Sequence, residues 1–397
     1  MKVLWICHFS NNITSSHFSN NTHTEMAPWI SNIIDIFSSV DDIELHILAP
    51  NLWTKGRKNF EHEGIKFYFY RTCFILPKRL FDKVNFNIRT NFYFVKKEIG
   101  KLVDAISPDI IHIHGAENPI YSISYLELEN SYPILLTIQG FITQDTGANN
   151  YVVNQRKRLE QKILEKNMFF GVRTYDMMDY IRGYNRNAKF FWHYYPITLP
   201  ALYTGEPVIK QYDCAFFGRV VPENGIEDLL AAISRIRQLN KNISLIVIGP
   251  IPTPYDKLLR RRVIDLGIEP NVEFTGYLPT QQQAFDYVSR ARIDVLPTHY
   301  DIVPGTILEC MSLGVPVIAN SVGGIPDLNL TKECVVLTER GDIDGLSKAI
   351  TDLLADEEKR QELVLNSKEE VLKYNDRRKI YLDIINAYKE ILKFDEN

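Results

Sequence analysis

The chain has 397 residues, of which 45% are hydrophobic and 24% are charged, and its formal net charge is −4. This length and composition indicate a globular protein of two or three domains, and the weak negative charge gives no reason to expect a nucleic-acid partner. No segment approaches the roughly 20 apolar residues of a membrane span, and the cysteines form no Cys-x-x-Cys pair, which argues against disulfides and zinc. The apolar run that begins at Val3 is too short for a secretory leader, so we expect a cytoplasmic protein.

The first half of the chain alternates between short apolar runs and segments of helical periodicity. Helices are predicted at Glu25–Phe37, Phe92–Ile106 and Asn154–Glu165. The predicted strands are Val3–Cys7, Ile43–Ala49, Ile65–Tyr70, Ile110–His114, Ile134–Ile138 and Phe169–Val172. Such alternation is typical of a parallel sheet covered by helices.

The window from Trp53 to Lys101 is both basic and aromatic. It holds twelve Lys and Arg residues against four Asp and Glu residues, a net charge of +8, with aromatic residues interleaved. A surface of this kind is attracted to an anionic membrane. In the other interpretation, the aromatic side chains are core residues and the basic ones form a solvated face.

The second half of the chain repeats the same alternation. Its predicted strands are Cys214–Phe217, Ser244–Ile248, Val272–Phe274, Ile293–Leu296, Val315–Ala319 and Val335–Leu337. Its predicted helices are Ile226–Leu239, Tyr255–Leu266, Gln281–Ala291 and Thr306–Leu313, followed by a nearly all-helical tail over 342–392 with a break at 374–376.

Prolines and a glycine crowd together between Tyr194 and Tyr212, which marks a seam between the two halves. We therefore predict an α/β protein of two Rossmann-like, doubly wound domains. The first spans 1–195, the linker 196–212 and the second domain 213–374.

The segment 298–314 reads as the end of a strand, a Pro and Gly loop, and the start of a helix. An open α/β sheet places an anionic ligand at such a point. We expect the amides of Gly305, Thr306 and Ile307 to face phosphate oxygens, and the carboxylates of Asp301 and Glu309 to accept hydrogen bonds from sugar hydroxyls. Together these groups suggest a nucleotide-sugar. The alternative is structural: Thr306 and Glu309 fit a capping box, and Asp301 fits an ordinary turn acid.

A second strand, loop and helix unit lies at 216–230. Gly218 allows a tight turn after the strand, and Arg219 places a permanent cation just past the strand end. A planar guanidinium can hold a diphosphate through two hydrogen bonds. The alternative for an isolated Gly-Arg pair is an exposed ion pair of little energetic weight.

The order and spacing of these segments resemble those of one known protein family. The strings FFGRVVPENGIEDLLAAI (216–233), VIGP (247–250), FTGYLP (274–279), DIVPGTILECMSLGVPVIA (301–319) and SVGGIPDL (321–328) are similar to the carboxyl domain of glycosyltransferase family four. A weaker similarity extends to PDIIHIHG (108–115), LLTIQG (135–140) and GVRTYD (171–176). This resemblance implies a retaining sugar-nucleotide transferase of the GT-B fold, with two domains facing across a cleft and a late helix, 375–392, crossing back onto the first domain.

The resemblance also implies roles for individual residues. Arg219, beside Gly218, would bind the donor diphosphate, Glu309 the ribose hydroxyls, and Asp301 hydroxyls of the transferred sugar. Arg219, Asp301 and Glu309 are therefore the candidate catalytic residues. The remaining donor-binding candidates are Gly218, Asn224, Tyr277, Leu278, Gly305, Thr306 and Ile307, with Tyr277 and Leu278 near the nucleobase.

Several positions depart from the family pattern. Asn224 stands where the family has a lysine, Asp301 is one methylene shorter than the usual glutamate, and Gln139 replaces a histidine of the first domain. The family's Gly-Gly loop after the first strand is replaced by residues 9–12. Gln139 and His114 would line the cleft, and His8 or His114 would compensate for the missing groups.

We therefore expect an enzyme that moves a sugar from a nucleoside-diphosphate sugar to a glycan or lipid-linked glycan, in cell-surface polysaccharide synthesis. No cofactor and no metal are expected, since His112-x-His114 lacks a third zinc ligand, and an anionic membrane surface is a candidate partner. The alternative is a catalytically weak sugar-nucleotide-binding partner of a transferase complex, because Asn224 and Gln139 supply no charge. A related GT-B phosphorylase or epimerase is a further alternative.

Overall fold

The computed structural model describes residues 1–18, 27–38, 42–51, 56–72, 85–144, 150–197 and 208–395. The chain divides into two compact units. Unit 1 comprises Met1–Arg173, Met177–Pro196 and Arg377–Asn397, and unit 2 comprises Thr174–Asp176 and Ile197–Asp376.

The described ranges contain fourteen strands and fifteen helices, numbered here in chain order. The strands are β1 Lys2–Ile6, β2 Glu44–Asn51, β3 Lys58–His62, β4 Ile65–Arg71, β5 Ile110–His114, β6 Ile134–Thr137, β7 Phe169–Val172, β8 Lys189–Trp192, β9 Tyr212–Phe217, β10 Leu245–Ile248, β11 Val272–Gly276, β12 Ala291–Leu296, β13 Val317–Asn320 and β14 Val335–Thr338. The helices are α1 Asn12–His17, α2 Pro28–Ser38, α3 Phe86–Arg89, α4 Tyr93–Ile106, α5 Pro119–Ser122, α6 Tyr125–Leu128, α7 Tyr151–Lys166, α8 Tyr175–Tyr184, α9 Ile226–Leu239, α10 Thr253–Asp265, α11 Gln281–Val288, α12 Gly305–Leu313, α13 Ile343–Ala355, α14 Glu357–Tyr374 and α15 Arg377–Asp395.

Unit 1 contains an eight-stranded sheet in the order β3-β4-β2-β1-β5-β6-β7-β8. Its neighbouring strands run parallel except for β3 and β4, which form an antiparallel hairpin. The hairpin turns at Glu63 and Gly64, whose φ angles of 48° and 78° belong to a turn that matches the twist of the flanking strands. This antiparallel edge strand was not predicted from the sequence, because the polar strand β3 lacks the apolar run that marks the others.

Unit 2 contains a six-stranded, fully parallel sheet in the order β11-β10-β9-β12-β13-β14. The chain moves outward in one direction from β9 to β11 and then in the other direction from β12 to β14. Strand order therefore reverses between β9 and β12, and a crevice for ligands lies outside the carboxyl ends of strands at such a point.

Hydrophobic burial holds the helices of unit 2 in place. Along α9, Ile226, Leu229, Leu230, Ile233 and Ile236 are all buried, and their spacing puts them on one face. Each such side chain contributes about 1.5–3 kcal/mol when removed from water. The helix is thus fixed along its length, and so is the loop that precedes it.

The twelve predicted strands are all present, with ends within two residues of the prediction. The structure adds β3 and β8, which carry little apolar alternation. The predicted helix Gln281–Ala291 is wrong at its end, because α11 stops at Val288 and β12 begins at Ala291.

Within the described part of the basic window, the aromatic residues of β4 are interior. Phe67, Phe69 and Tyr70 have at most 1% exposure. The basic residues are partly paired, with the ion pairs Arg57–Glu98, Lys66–Glu44 and Lys96–Glu127. Residues 53–55 and 73–84 of the window lie outside the described residues. No helix in the described ranges is both long and apolar enough to cross a membrane.

Candidate functional site

The loops that follow β9 and β12 meet at the edge where strand order reverses. The amide of His299 donates to the carbonyl of Glu223 at 2.8 Å, and His299 Nε2 lies 2.9 Å from Asp228 Oδ2. One loop, 218–225, comes from the first sequence motif and the other, 297–304, from the second. The two motifs that are about 80 residues apart in the sequence therefore form one site.

Two glycines allow the backbones at this site to approach closely. A Cβ added to Gly225, which has a φ of 76°, would lie 1.9 Å from the carbonyl oxygen of Pro297. A Cβ added to Gly249, with a φ of 139°, would lie 1.9 Å from the carbonyl oxygen of Gly218. Both positions require glycine, because no side-chain carbon can come that close.

Arg219 is exposed at the tip of the first loop. Within the described ranges its guanidinium has no hydrogen-bond or ion-pair partner, whereas its carbonyl oxygen accepts from Asn224 Nδ2 at 2.9 Å. Asn224 thus fastens the turn and supplies no charge. The arginine is presented as a cation by a loop whose backbone is held.

Gly218 lies between side chains from both motifs. A Cβ placed on it would be 3.9 Å from Asn224 Nδ2 and 3.9 Å from Thr306 Oγ1. The structure therefore brings Gly218, Arg219, Asn224 and Thr306 together, as the sequence motifs suggested. The space above Gly218 is open enough for a ligand to approach the backbone.

Helix α12 begins at this site without a side-chain cap. Its N-cap is Pro304, and among the described residues the amides of Gly305 and Thr306 form no hydrogen bond. The prediction for Ile307 is wrong, because its amide donates to the Pro304 carbonyl at 3.1 Å and its side chain is fully buried. The capping box at Thr306 does not form either, so two free amides and the positive end of the helix dipole are available to an anion.

Glu309 lies one turn further along α12 and is only 8% exposed. Its Oε1 accepts a hydrogen bond from Gln281 Nε2 at 2.7 Å. Gln281 is the first residue of α11, which begins with a capping box between Thr280 and Gln283. The sequence reasoning missed Gln281, although its position directly after the FTGYLP turn was a usable signal.

Asp301 lies half-buried in the loop before α12, and the VGG segment supports that loop from behind. A Cβ added to Gly323, with a φ of 54°, would lie 1.8 Å from the carbonyl oxygen of Asp301. The amide of Gly324 donates to the Ile302 carbonyl at 2.9 Å. Close backbone packing therefore fixes the position of the Asp301 backbone, from which its side chain extends.

Tyr277 and Leu278 follow β11, at the same edge of the sheet but two strands away from β9. Tyr277 is 70% exposed and Leu278 is half-buried. The turn begins at Gly276, which has a φ of 66°. The hydrogen bond between Gln281 and Glu309 links the helix after this turn to α12.

A buried acid that the sequence reasoning missed lies beneath the site. Asp294, on β12, is fully buried beside the Cys310 thiol of α12, and burial raises the pKa of its carboxyl to about 8. The carboxyl is therefore mostly protonated at neutral pH. Four cysteines in the described ranges, Cys310 among them, are free and buried.

In unit 1, His112 is a core residue, as predicted, and is fully buried. The indole N–H of Trp5 donates to Tyr388 Oη at 2.8 Å, and Tyr388 Oη is hydrogen-bonded to His112 Nδ1 at 2.6 Å. His112 Nε2 is hydrogen-bonded to Thr137 Oγ1 at 2.7 Å. Burial lowers the pKa of His112 well below its ordinary value, which keeps the ring neutral.

His114 and Gln139 lie at the carboxyl ends of β5 and β6. His114 is 3% exposed, and Gln139 Oε1 accepts a hydrogen bond from Arg173, which follows β7. His8 follows β1 and is partly buried, 6.4 Å from the ring of Tyr121. Among the described residues, no group of three or more His, Cys, Asp and Glu side chains is arranged to hold a metal ion.

Residues 207–370 match the family model of the group 1 glycosyl transferases. Curated relatives each match less than half of the chain. The capsular polysaccharide biosynthesis glycosyltransferase CapM of Staphylococcus aureus is 25% identical over 46% of this chain and 47% of its own. A GDP-mannose-dependent alpha-(1-6)-phosphatidylinositol monomannoside mannosyltransferase of Mycolicibacterium smegmatis is 30% identical over 35% of this chain and 37% of its own. The matched region thus spans less than half the length of each of these relatives.

Solved structures resemble the whole chain. Sucrose-phosphate synthase from Thermosynechococcus elongatus has a TM-score of 0.73 and 17% identity, with 99% of both chains covered. The Anabaena protein HepE, solved in complex with UDP and glucose, has a TM-score of 0.69 and 15% identity, with 98% of this chain and 100% of that chain covered. The predicted GT-B fold is therefore confirmed.

Proposed function

We propose that this protein is a retaining glycosyltransferase that moves a sugar from a nucleoside-diphosphate sugar to a glycan or lipid-linked glycan acceptor. The observation that carries the proposal is the meeting of Arg219, the open turn at Gly218 and the two free amides of α12 at one edge of the unit 2 sheet. A guanidinium beside a helix N-terminus is suited to a diphosphate. The relationship to CapM supports a role in cell-surface polysaccharide synthesis.

In this proposal, Arg219 and the α12 amides stabilise the negative charge that develops on the leaving diphosphate. The bond between the anomeric carbon and the phosphate oxygen breaks, and its electron pair leaves with the phosphate. The acceptor oxygen forms the new bond on the same face, and its proton passes to the leaving phosphate. Glu309 would hold the ribose hydroxyls and Asp301 hydroxyls of the transferred sugar, since ionised carboxylates accept hydrogen bonds.

Binding of the donor is tested by thermal unfolding with a panel of uridine, guanosine and adenosine diphosphate sugars. HepE was solved with UDP, and the mycobacterial relative is named for GDP-mannose, so the panel includes both bases. A ligand at 100 times its Kd stabilises the folded state by about 2.7 kcal/mol. We expect one base to raise the Tm clearly above the others, and no shift with any of them would contradict the proposal.

A catalytically weak sugar-nucleotide-binding partner is the second candidate. The observation in its favour is Asn224, whose amide is bonded to the Arg219 carbonyl where the family resemblance expects a lysine cation. Mass spectrometry of the donor incubated without acceptor separates the two candidates. Slow release of the nucleoside diphosphate supports the enzyme, whereas binding without any release supports the partner.

We further propose that transfer needs no metal and takes place at the cytoplasmic face of a membrane. EDTA is then expected to leave the rate unchanged. Flotation with anionic liposomes at low salt tests the membrane contact, because salt screens exposed charges beyond about 10 Å at 0.1 M. Absence of flotation at low salt would remove the membrane surface from the proposal.

A further inference from the structure

A cluster of polar side chains lies in unit 1, where the order of its strands reverses. From β1 the chain moves to β2 and then to the β3–β4 hairpin, whereas from β5 it moves the other way to β8. His8 follows β1 and Glu117 follows β5, so both lie at the carboxyl ends of two neighbouring parallel strands. Open α/β sheets bind ligands in the crevice at such a point. His8, Glu117, Tyr121 and Arg156 are called the Glu117 cluster below.

The carboxylate of Glu117 is packed against the backbone at the end of β5. Tyr121 Oη donates a hydrogen bond to Glu117 Oε1 at 2.5 Å, and Arg156 Nε donates to the Glu117 carbonyl oxygen at 3.0 Å. A Cβ added to Gly115, which has a φ of 104°, would collide with Glu117 Oε2 and Tyr121 Oη. Glycine is therefore required at this position, because the carboxylate and the phenol occupy the space that a side chain would take.

Two atoms of the cluster have no hydrogen-bond partner. Glu117 Oε2 and His8 Nε2 are buried, and neither forms a hydrogen bond with any residue that the structure describes. Both residues are nevertheless partly exposed, and both lie beside Tyr121, whose ring centroid is 6.4 Å from that of His8. A buried polar atom without a partner is unfavourable, and a bound group that supplies the missing hydrogen bond removes that cost.

The protonation of the two groups defines what they can bind. Burial raises the pKa of the Glu117 carboxyl, and the hydrogen bond from Tyr121 and the charge of Arg156 oppose this rise. Burial lowers the pKa of His8, so its neutral ring has one donor and one acceptor nitrogen. An ionised carboxylate only accepts hydrogen bonds, so the ligand must donate. A saccharide hydroxyl donates one hydrogen bond and accepts others.

A second buried acid of unit 1, Glu160, shows the contrast. Its Oε1 accepts from the amide of Ile142 at 3.1 Å, and its Oε2 accepts from the amide and the hydroxyl of Thr143 at 2.8 and 2.5 Å. Burial raises the pKa of this carboxyl to about 7. Both oxygens of Glu160 are thus used within the fold, whereas Glu117 keeps one oxygen for another group.

We propose that the Glu117 cluster binds an uncharged saccharide through its hydroxyl groups, and that this saccharide is the acceptor of the transfer. Glu117 Oε2 accepts a hydrogen bond from one hydroxyl, and His8 Nε2 forms a hydrogen bond with another hydroxyl of the same ring. The role as acceptor rests on the proposed transferase function, whereas binding of the saccharide does not.

Binding is measured on the full chain by saturation-transfer NMR titration with the methyl α-D-glycosides of glucose, galactose and mannose. We expect Glu117→Gln to weaken the tightest of these glycosides at least tenfold, about 1.4 kcal/mol. The Tm should be kept or raised, because the bond from Tyr121 to Oε1 is retained and a buried charge is removed. Unchanged affinity in this variant, or no binding of any glycoside to the parent, would overturn the proposal.

Two further variants locate the glycoside. Glu160→Gln is the matched control: it should lower the Tm, because an acceptor oxygen of a satisfied acid is replaced by an NH₂ group, and should leave the affinity unchanged. An equal loss of affinity in Glu160→Gln would overturn the proposal. Asp301→Asn alters the donor site instead. A loss in Asp301→Asn without a loss in Glu117→Gln would place the glycoside there and would also overturn the proposal.

His8 is tested by a conservative and a disruptive substitution. A glutamine amide still forms a hydrogen bond near the position of Nε2, so His8→Gln should keep most of the affinity. His8→Phe keeps a ring without polar atoms and should lose affinity roughly fivefold. Equal affinities in the two variants would contradict the hydrogen bond assigned to Nε2.

The role as acceptor is measured by steady-state kinetics. Glu117→Gln should raise the KM for the acceptor at least tenfold and leave the KM for the donor unchanged, and a rise in the donor KM instead would contradict the acceptor assignment. The NMR titration needs no transfer. Glycoside binding that depends on Glu117, in a protein without transferase activity, would therefore refute the proposed function and leave the saccharide site standing.

Discussion

The carboxyl edges of the two sheets are built in different ways. In unit 2, the edge is made of backbone: glycines that admit close carbonyls, two free amides of α12, and one exposed arginine. In unit 1, the edge is made of side chains. Those less than 10% exposed are Arg173, His112, His114 and His193, and Gln139 accepts a hydrogen bond from Arg173. An edge of backbone can accept a common group such as a diphosphate, whereas an edge of side chains can select a particular substrate.

The largest expected effect comes from removing the exposed cation of unit 2. Arg219→Ala should lower kcat by roughly 10²–10³, by analogy with loss of an oxyanion-stabilising donor. Steady-state kinetics with the donor found by thermal unfolding measure this. Arg235→Ala is the control, since Arg235 is an exposed arginine of the same unit paired with Asp344. Unchanged turnover in Arg219→Ala would end the assignment of this residue.

The backbone character of the unit 2 edge is tested at Gly249. An alanine there would place Cβ 1.9 Å from the Gly218 carbonyl, so the loop that carries Arg219 must move. We expect the free energy of unfolding to fall by about 3 kcal/mol, toward the upper end for single substitutions. Gly341→Ala is the control, because Gly341 has a φ of 78° and open space around it. An equal loss in both variants would show that φ strain alone accounts for the effect.

The buried acid beneath the unit 2 edge gives a pH dependence. The pKa of Asp294 is raised from an ordinary 3.8 to about 8 in the folded state, so the folded protein binds a proton that the unfolded chain releases. Its contribution to stability is fully present below about pH 4 and is lost as the pH rises to about 8. Asp294→Asn removes the titrating group. The fall in the free energy of unfolding between pH 5 and pH 7.5 should therefore be smaller in this variant than in the parent, by up to about 3 kcal/mol.

Denaturant unfolding of the parent and of Asp294→Asn at pH 5, 6.5 and 7.5 measures that difference. Asp213→Asn is the control, because Asp213 is a half-buried acid paired with Arg292 at 3.2 Å. Parallel pH curves for the parent and Asp294→Asn would mean that Asp294 does not change its protonation in this range.

The contrast between the edges also explains what the sequence could predict. Loops made of backbone leave glycines, prolines and a short spacing in the sequence, so Gly218, Arg219 and Thr306 were recognisable before the structure. The partners of buried side chains leave no local pattern. Gln139 and Arg173 are 34 residues apart in the sequence and meet only because β6 and β7 are neighbours. Asp294 was missed because a single acid inside an apolar run resembles a strand residue. The amide of Ile307 was expected to be free, but it is not, because it donates a hydrogen bond to the carbonyl of Pro304 within the same turn.

The smallest effect is expected from substituting Gln281. This residue sharpens the comparison of the two edges, because it adds a side-chain contact to the backbone edge of unit 2 and lies outside the sequence motifs. Gln281 Nε2 donates a hydrogen bond to Glu309 Oε1 at 2.7 Å. Gln281→Ala removes this hydrogen bond, so the carboxylate of Glu309 stays at the site but its orientation is less restrained. We expect the donor KM to rise about three- to tenfold with kcat nearly unchanged, since about 1 kcal/mol of orientation is lost in binding and transition state alike. Glu309→Ala should raise the donor KM further. Gln282→Ala is the control, because that neighbouring glutamine donates a hydrogen bond to Asp286 on the exposed face of the same helix. A fall in kcat without a change in KM in both variants would instead assign Glu309 to the chemical step. Gln281 would then be the residue that orients Glu309 for that step.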